Sequence, residues 1–115
     1  MSTVDRGRHG EERAAAFLRD EGYEILEKNF RSRRGEVDIV AVRDDVLAFV
    51  EVKSWSSWSA AELEYAIGMS KQRRIRRTAE IYLQGRHDLH GHHLRFDVVF
   101  VSAPHGAIEH LTDVF

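Results

Sequence analysis

Two short runs of this chain mix strand-forming apolar residues with charges at two-residue spacing: Gly35-Glu36-Val37-Asp38-Ile39-Val40 and Phe49-Val50-Glu51-Val52-Lys53. Side chains alternate along a strand, so Glu36 and Asp38 share one face of the first run, and Glu51 and Lys53 one face of the second. Between them, Arg43-Asp44-Asp45-Val46 has turn chemistry. With Asp44 and Asp45 as a two-residue hairpin loop, Val42 faces Leu47, Asp38 stands across from Glu51, and Glu36 stands across from Lys53. A four-residue loop from Arg43 to Val46 gives the same pairing. An odd loop sends the two acidic pairs to opposite faces.

Directly opposed residues have Cβ atoms roughly 4.5–5.5 Å apart, and like charges there are destabilising. Two carboxylates and a lysine on one face suit a hard divalent cation beside a phosphate. The plainer alternative is a pair of edge strands with a solvated polar face, on which Glu36 and Lys53 form a cross-strand ion pair. Under the first reading Asp38 and Glu51 are the metal ligands. Lys53 then orients or helps activate a water, or holds the scissile phosphate, as a compact ammonium can. Glu36 is either an outer ligand or the partner of Lys53.

Asp38 followed by Glu51-Val52-Lys53 resembles the signature of the PD-(D/E)xK nuclease superfamily, which includes restriction endonucleases and archaeal Holliday-junction resolvases. Further segments match in order: Gly7-Arg8-His9-Gly10-Glu11-Glu12-Arg13-Ala14, Gly22-Tyr23-Glu24-Ile25-Leu26, Asn29-Phe30-Arg31, Lys71-Gln72-Arg73-Arg74-Ile75 and Arg95-Phe96-Asp97-Val98-Val99. Together they resemble the YraN-like family of small bacterial proteins over nearly the whole chain. The resemblance implies a restriction-endonuclease-like αβββαβ core, with a mixed central sheet flanked by helices. It also implies that Glu11 joins Asp38 and Glu51 as a metal ligand, that Mg²⁺ (with Mn²⁺ as a substitute) is the cofactor, and that DNA is the substrate. From the same source come branched or structured DNA, a 5′-phosphate product, a homodimer, and a matching lysine at Lys71 near the site. Without the resemblance, Glu11 reads as a surface residue stabilising a helix start. One departure stands out: Ser54-Trp55-Ser56-Ser57-Trp58 occupies the place where the family commonly has an arginine soon after the motif lysine. Trp55 and Trp58 either stack on bases, meet a partner, or pack beneath the following helix.

With Glu11 included, four acids (Glu11, Glu36, Asp38, Glu51) face one lysine, Lys53, a net −3 in a small volume. Such a cluster either raises carboxylate pKa values or recruits a cation. The elements that must position it follow from pattern and punctuation. A first helix from about Asp5 or Gly10 to Glu21 buries Ala14, Ala15, Phe17 and Leu18 and stops at Gly22. A strand over Tyr23 to Arg31 precedes the hairpin. Ser59-Ala60-Ala61-Glu62 has capping-box spacing. Gly68 interrupts that helical region, leaving a main helix from about Ser70 to Gln84 that Gly85 ends. On it Ile75, Ala79 and Tyr82 face the core. Arg95 to Val101 reads as a central strand, and Ile108 to Leu111 as an edge.

The net charge of −2 announces no global positive field, but the basic residues cluster. Arg8 in the first helix, Arg31, Arg33 and Arg34 before the hairpin, and Lys71, Arg73, Arg74 and Arg77 on the main helix form a candidate phosphate-tracking set. Taken singly, each run is equally a solvated face. His87, His90, His92 and His93 lie in a Gly-containing connection with no cysteine, a poor match to zinc spacing. At 115 residues, 43% hydrophobic and 31% charged, the chain reads as one soluble domain over residues 1–115. It has no membrane-length apolar run, no apolar signal core and no cysteine, which fits the cytoplasm. The expectation is an Mg²⁺-dependent endonuclease on DNA. The competing class is a non-catalytic nucleic-acid-binding or adaptor protein on the same fold; a third is a structural protein with ordinary surface carboxylates.

Overall fold

The computed structural model describes residues 3–55, 68–102 and 106–114, with side chains from His9 onward and Trp55 excepted. The side chains of Arg8 and Trp55, all of Trp58, and the capping box from Ser59 to Glu62 therefore lie outside the described residues. Helix α1 (Thr3–Asp20) leads into strands β1 (Glu24–Ser32), β2 (Gly35–Arg43) and β3 (Val46–Trp55), then helix α2 (Met69–Gln84), a short 3-10 turn (His87–Leu89), and strands β4 (His93–Ser102) and β5 (Ile108–Leu111). This is the α/β order of a restriction-endonuclease-like core, as expected from sequence.

One mixed sheet carries the strands in the order β1-β2-β3-β4-β5. β1, β2 and β3 form an antiparallel meander, β4 joins β3 in parallel, and β5 returns antiparallel to β4. The β2–β3 loop is the two-residue Asp44–Asp45 turn: Val42 pairs with Leu47 and Arg43 with Val46. Asp44 takes φ 55, a left-handed conformation that Asp tolerates better than most residues. At the end of α1, Gly22 adopts φ 95. The Tyr23 N–H reaches back to the Leu18 carbonyl at 2.9 Å, so the glycine closes the helix and turns the chain into β1.

The sheet separates two apolar clusters. On one side Ala14, Ala15 and Leu18 of α1 pack on Ile39, Ala41, Ala48, Val50, Val99 and Val101. On the other, Ile75, Ala79 and Tyr82 of α2 pack on Val40, Leu47, Phe49 and Phe96. Each helix thus buries the stripe its spacing predicts, except that Phe17 is only half-buried, edge-on to His110. Both sheet faces are covered, which explains why β3 and β4 are nearly continuous apolar runs.

One buried charge interrupts β4. Asp97 is fully buried and accepts hydrogen bonds from Arg95, His110 and the Asp113 N–H, at 2.8 Å, 2.8 Å and 3.0 Å respectively. Arg95 also donates to the Tyr23 hydroxyl. Burial by itself drives the Asp97 carboxyl upward, but these donors prevail and hold it below its ordinary value. The network ties β5 and the chain beyond it to β4. No helix of the described residues is long and apolar enough to cross a membrane.

Candidate active site

The regular β2–β3 pairing ends at Ile39 and Val50. Past that point β3 stays registered with β4, pairing Glu51 with Val98 and Lys53 with Phe100, while β2 pairs with β1. The strands part there, and Asp38 occupies the fork. Its Oδ2 accepts the Val52 N–H at 2.8 Å, taking the place a backbone carbonyl would fill in a continued ladder. Asp38 is 7% exposed. Burial first, and then the Glu51 carboxylate, push its pKa up from 3.8 to about 7; the Val52 N–H pulls the other way, and Glu11 and Glu36 add to the rise. Of the four acids expected to converge, the other three thus all act on Asp38.

Glu51 is held by two lysines. Its Oε1 accepts from Lys71 of α2 at 2.5 Å and lies 3.3 Å from Lys53 on its own strand. Burial lowers both ammonium pKa values and Glu51 raises them. For Lys53, Lys71 and Glu51 more than offset burial, so it is held above its ordinary value. Lys71 is held below it, by burial and by the neighbouring Lys53.

Glu11 takes a hydrogen bond from the Asn29 side-chain amide, Nδ2 to Oε2 at 2.8 Å. Asn29 lies between the pairs Lys28–Ile39 and Phe30–Val37, so it stands opposite Asp38, and it adopts φ 57. Glu36 departs from the sequence expectation. It is not paired with Lys53, because the strands have already separated; instead its Oε2 lies 3.2 Å from Arg31 on β1, its ladder partner. The pair is exposed.

Beside the fork lies an open cleft of about 260 Å³ lined by Gly35, Glu36, Glu51, Lys71, Arg74 and Ile75. Arg33 and Arg34 form the β1–β2 turn that precedes the cleft residue Gly35, and Gly35 is seated on α2. A Cβ on Gly35, whose φ is 153, would lie 3.2 Å from Thr78 Oγ1 and 3.6 Å from Arg74 Cβ. Two basic segments that are far apart in sequence thereby meet. Of the candidate phosphate contacts, Lys71 and Arg74 line the cleft, while Arg31, Arg33 and Arg34 lie on the adjoining hairpin. Arg73 and Arg77 are exposed on α2 outside the lining.

The donor set fits Mg²⁺, which favours oxygen ligands and commonly takes one or two carboxylates, with waters and phosphate completing its shell. Asp38 and Glu51 supply two, and Asp38 Oδ1 meets no hydrogen-bond donor among the described residues. Glu11, turned to Asn29, does not close a third position: no three His, Asp or Glu side chains among the described residues stand close enough to hold a metal. That applies equally to the histidines. His87 and His90 contact ring to ring at 5.1 Å, and His90 and His92 face backbone carbonyls.

Two features of the site do not follow from sequence. Asn29 carries no charge to mark it. The Lys71–Glu51 ion pair depends on how α2 approaches β3, which spacing within either element does not encode.

A family model described as "Uncharacterised protein family UPF0102" matches residues 10–101, which include every one of these side chains except Arg8. The chain belongs to this family. UPF0102 proteins similar to it include one from Rhodococcus opacus, 44% identical over 112 residues, covering 95% of this chain and 94% of the relative. Another, from Syntrophus aciditrophicus, is 46% identical over 111 residues, covering 95% and 87%. A third, from Clostridium perfringens strain 13, is 43% identical over 96 residues, covering 84% and 78%. UPF0102 membership agrees with the nuclease-superfamily resemblance read from the motif.

Proposed function

We propose that this chain is a metal-dependent endonuclease that hydrolyses DNA phosphodiester bonds. The observation that carries the reading is Asp38, buried at the strand fork with its Oδ2 on the Val52 N–H, and raised to about 7 by burial first and then by the Glu51 carboxylate. The Val52 N–H needs only an acceptor, not a second acid beside it, whereas burial, like charge and a cleft together mark functional sites. Asp38 and Glu51 would hold Mg²⁺. When bound, the ion neutralises the phosphate and sharpens a water nucleophile.

The protein's own groups do the rest. Lys53, beside Glu51, lies where it can orient the attacking water or steady a phosphate oxygen. Glu11, held by Asn29, would position water next to Asp38. Arg74 and the Arg33–Arg34 turn line the approach of a backbone without reading bases. Branched or otherwise structured DNA is the proposed substrate on family resemblance.

The test is cleavage of labelled single-stranded, duplex, flapped and four-way-junction DNA with Mg²⁺ or Mn²⁺, alongside Asp38→Ala and Lys53→Ala. Metal-dependent cutting lost in both variants supports the nuclease. Salt-sensitive binding with no cutting by the wild type transfers the assignment to a non-catalytic DNA-binding protein.

A further inference from the structure

Lys71 and Lys53 both address the same oxygen of Glu51, at 2.5 Å and 3.3 Å. Glu51 is 10% exposed at its side chain, Lys71 26% and Lys53 27%, so these pairs are only weakly screened by water. A cation arriving at Glu51 would meet two ammonium groups competing for the ligand it needs. Withdrawing Lys71 removes one of them but leaves a half-buried ammonium without its counter-charge, which is costly. The cleft resolves this. Lys71 lines it together with Arg74, so a phosphate lying there offers Lys71 a new anion within reach of its flexible stem.

We propose that Lys71 is a positioning residue that exchanges Glu51 for a substrate phosphate, so that the metal and the DNA backbone enter the site cooperatively. The inference rests on the nuclease reading and extends it. Each ligand removes the other's obstacle: phosphate draws Lys71 from Glu51, and a cation on Glu51 frees Lys71 for phosphate. Reciprocity requires DNA to tighten metal binding by the same factor as metal tightens DNA binding. Lys53 stays on its strand beside the carboxylate and needs no such movement. Pairing of Glu51 with both ammonium groups would also limit unproductive capture of a cation without substrate.

The experiment measures Ca²⁺ binding by calorimetry with and without a short DNA duplex, and duplex binding by fluorescence anisotropy with and without Ca²⁺. The wild type, Lys71→Met and Lys71→Arg are compared, and each fold is checked by circular dichroism. The expected wild-type coupling is roughly tenfold, within the usual range for linked sites. Lys71→Met should bind Ca²⁺ alone several-fold more tightly and lose most of the coupling, while Lys71→Arg, which keeps the charge, should retain much of it. Wild type that binds both ligands independently overturns the exchange and leaves the nuclease reading standing. So does Lys71→Met with unchanged coupling. Failure of the wild type to bind Ca²⁺ in any combination overturns both.

Discussion

The Asp38 carboxylate accepts the Val52 amide at 2.8 Å at the point where β2 and β3 part. A side chain thus does the work of a ladder carbonyl, and it does so while buried beside a second acid.

Asp38→Asn should therefore stabilise the metal-free protein while removing its response to metal. A carboxyl raised from 3.8 to about 7 keeps its proton in the folded chain over a window where the unfolded chain has lost it. Its contribution to stability accordingly declines as pH rises from about 4 to about 7. At pH 8, urea denaturation should place Asp38→Asn about 1 kcal/mol above wild type without metal. Mg²⁺ should raise the wild-type midpoint and leave the variant where it was.

Asp97 should behave in the opposite sense. Its carboxyl is held below its ordinary 3.8, so its contribution is complete above that value and is lost as pH falls through the lower folded one. Asp97→Ala leaves the part-buried Arg95 and His110 without their shared acceptor and should cost about 3 kcal/mol in urea titrations at pH 7. The wild-type advantage should shrink as the titration is repeated towards pH 3.

Asn29 separates conformation from chemistry. Asn29→Ala forces a Cβ-bearing residue with no amide into φ 57 and should cost about 1 kcal/mol. Asn29→Gly accepts that backbone and should be close to neutral in stability. Both lose the hydrogen bond to Glu11, so cleavage should fall by about tenfold in each. Activity lost in the alanine variant alone would show that Asn29 acts only through the strand.

The basic rim should reveal itself through salt. Arg74→Ala and the Arg33→Ala/Arg34→Ala double variant should weaken binding of all duplexes alike. The slope of log affinity against log salt should flatten by about one for each phosphate no longer neutralised by an arginine. Arg76→Ala, on the face of α2 where the guanidinium lies over Phe96, should leave the slope unchanged.

Much of the site was legible because two-residue periodicity leaves little freedom. Once Asp44 and Asp45 form the loop, the ladder follows by counting as far as Ile39 and Val50, one residue short of Asp38 and Glu51. The same counting failed for Glu36 and Lys53, since a ladder projected from its loop contains no signal for where the strands divide. Asp97 was equally opaque: within β4 it reads as one polar residue in an apolar run. Its partners lie two residues back, on the next strand and past its end. Lys71 reads from sequence as a phosphate contact, but its bond to Glu51 is a product of packing between α2 and the sheet.

The first strand has a consequence beyond the site. Among the described residues β1 is an outer strand of the sheet, the position where a free row of amides and carbonyls invites another chain to add on. Its register shifts between Ile25 and Glu27, and Asn29 then twists the backbone into the left-handed region. An incoming strand would lose step at the first irregularity and meet the second almost at once. The asparagine that steadies Glu11 thus also guards the border of the sheet against fibre-like growth, and a variant that straightens it should lose solubility along with the hold on Glu11.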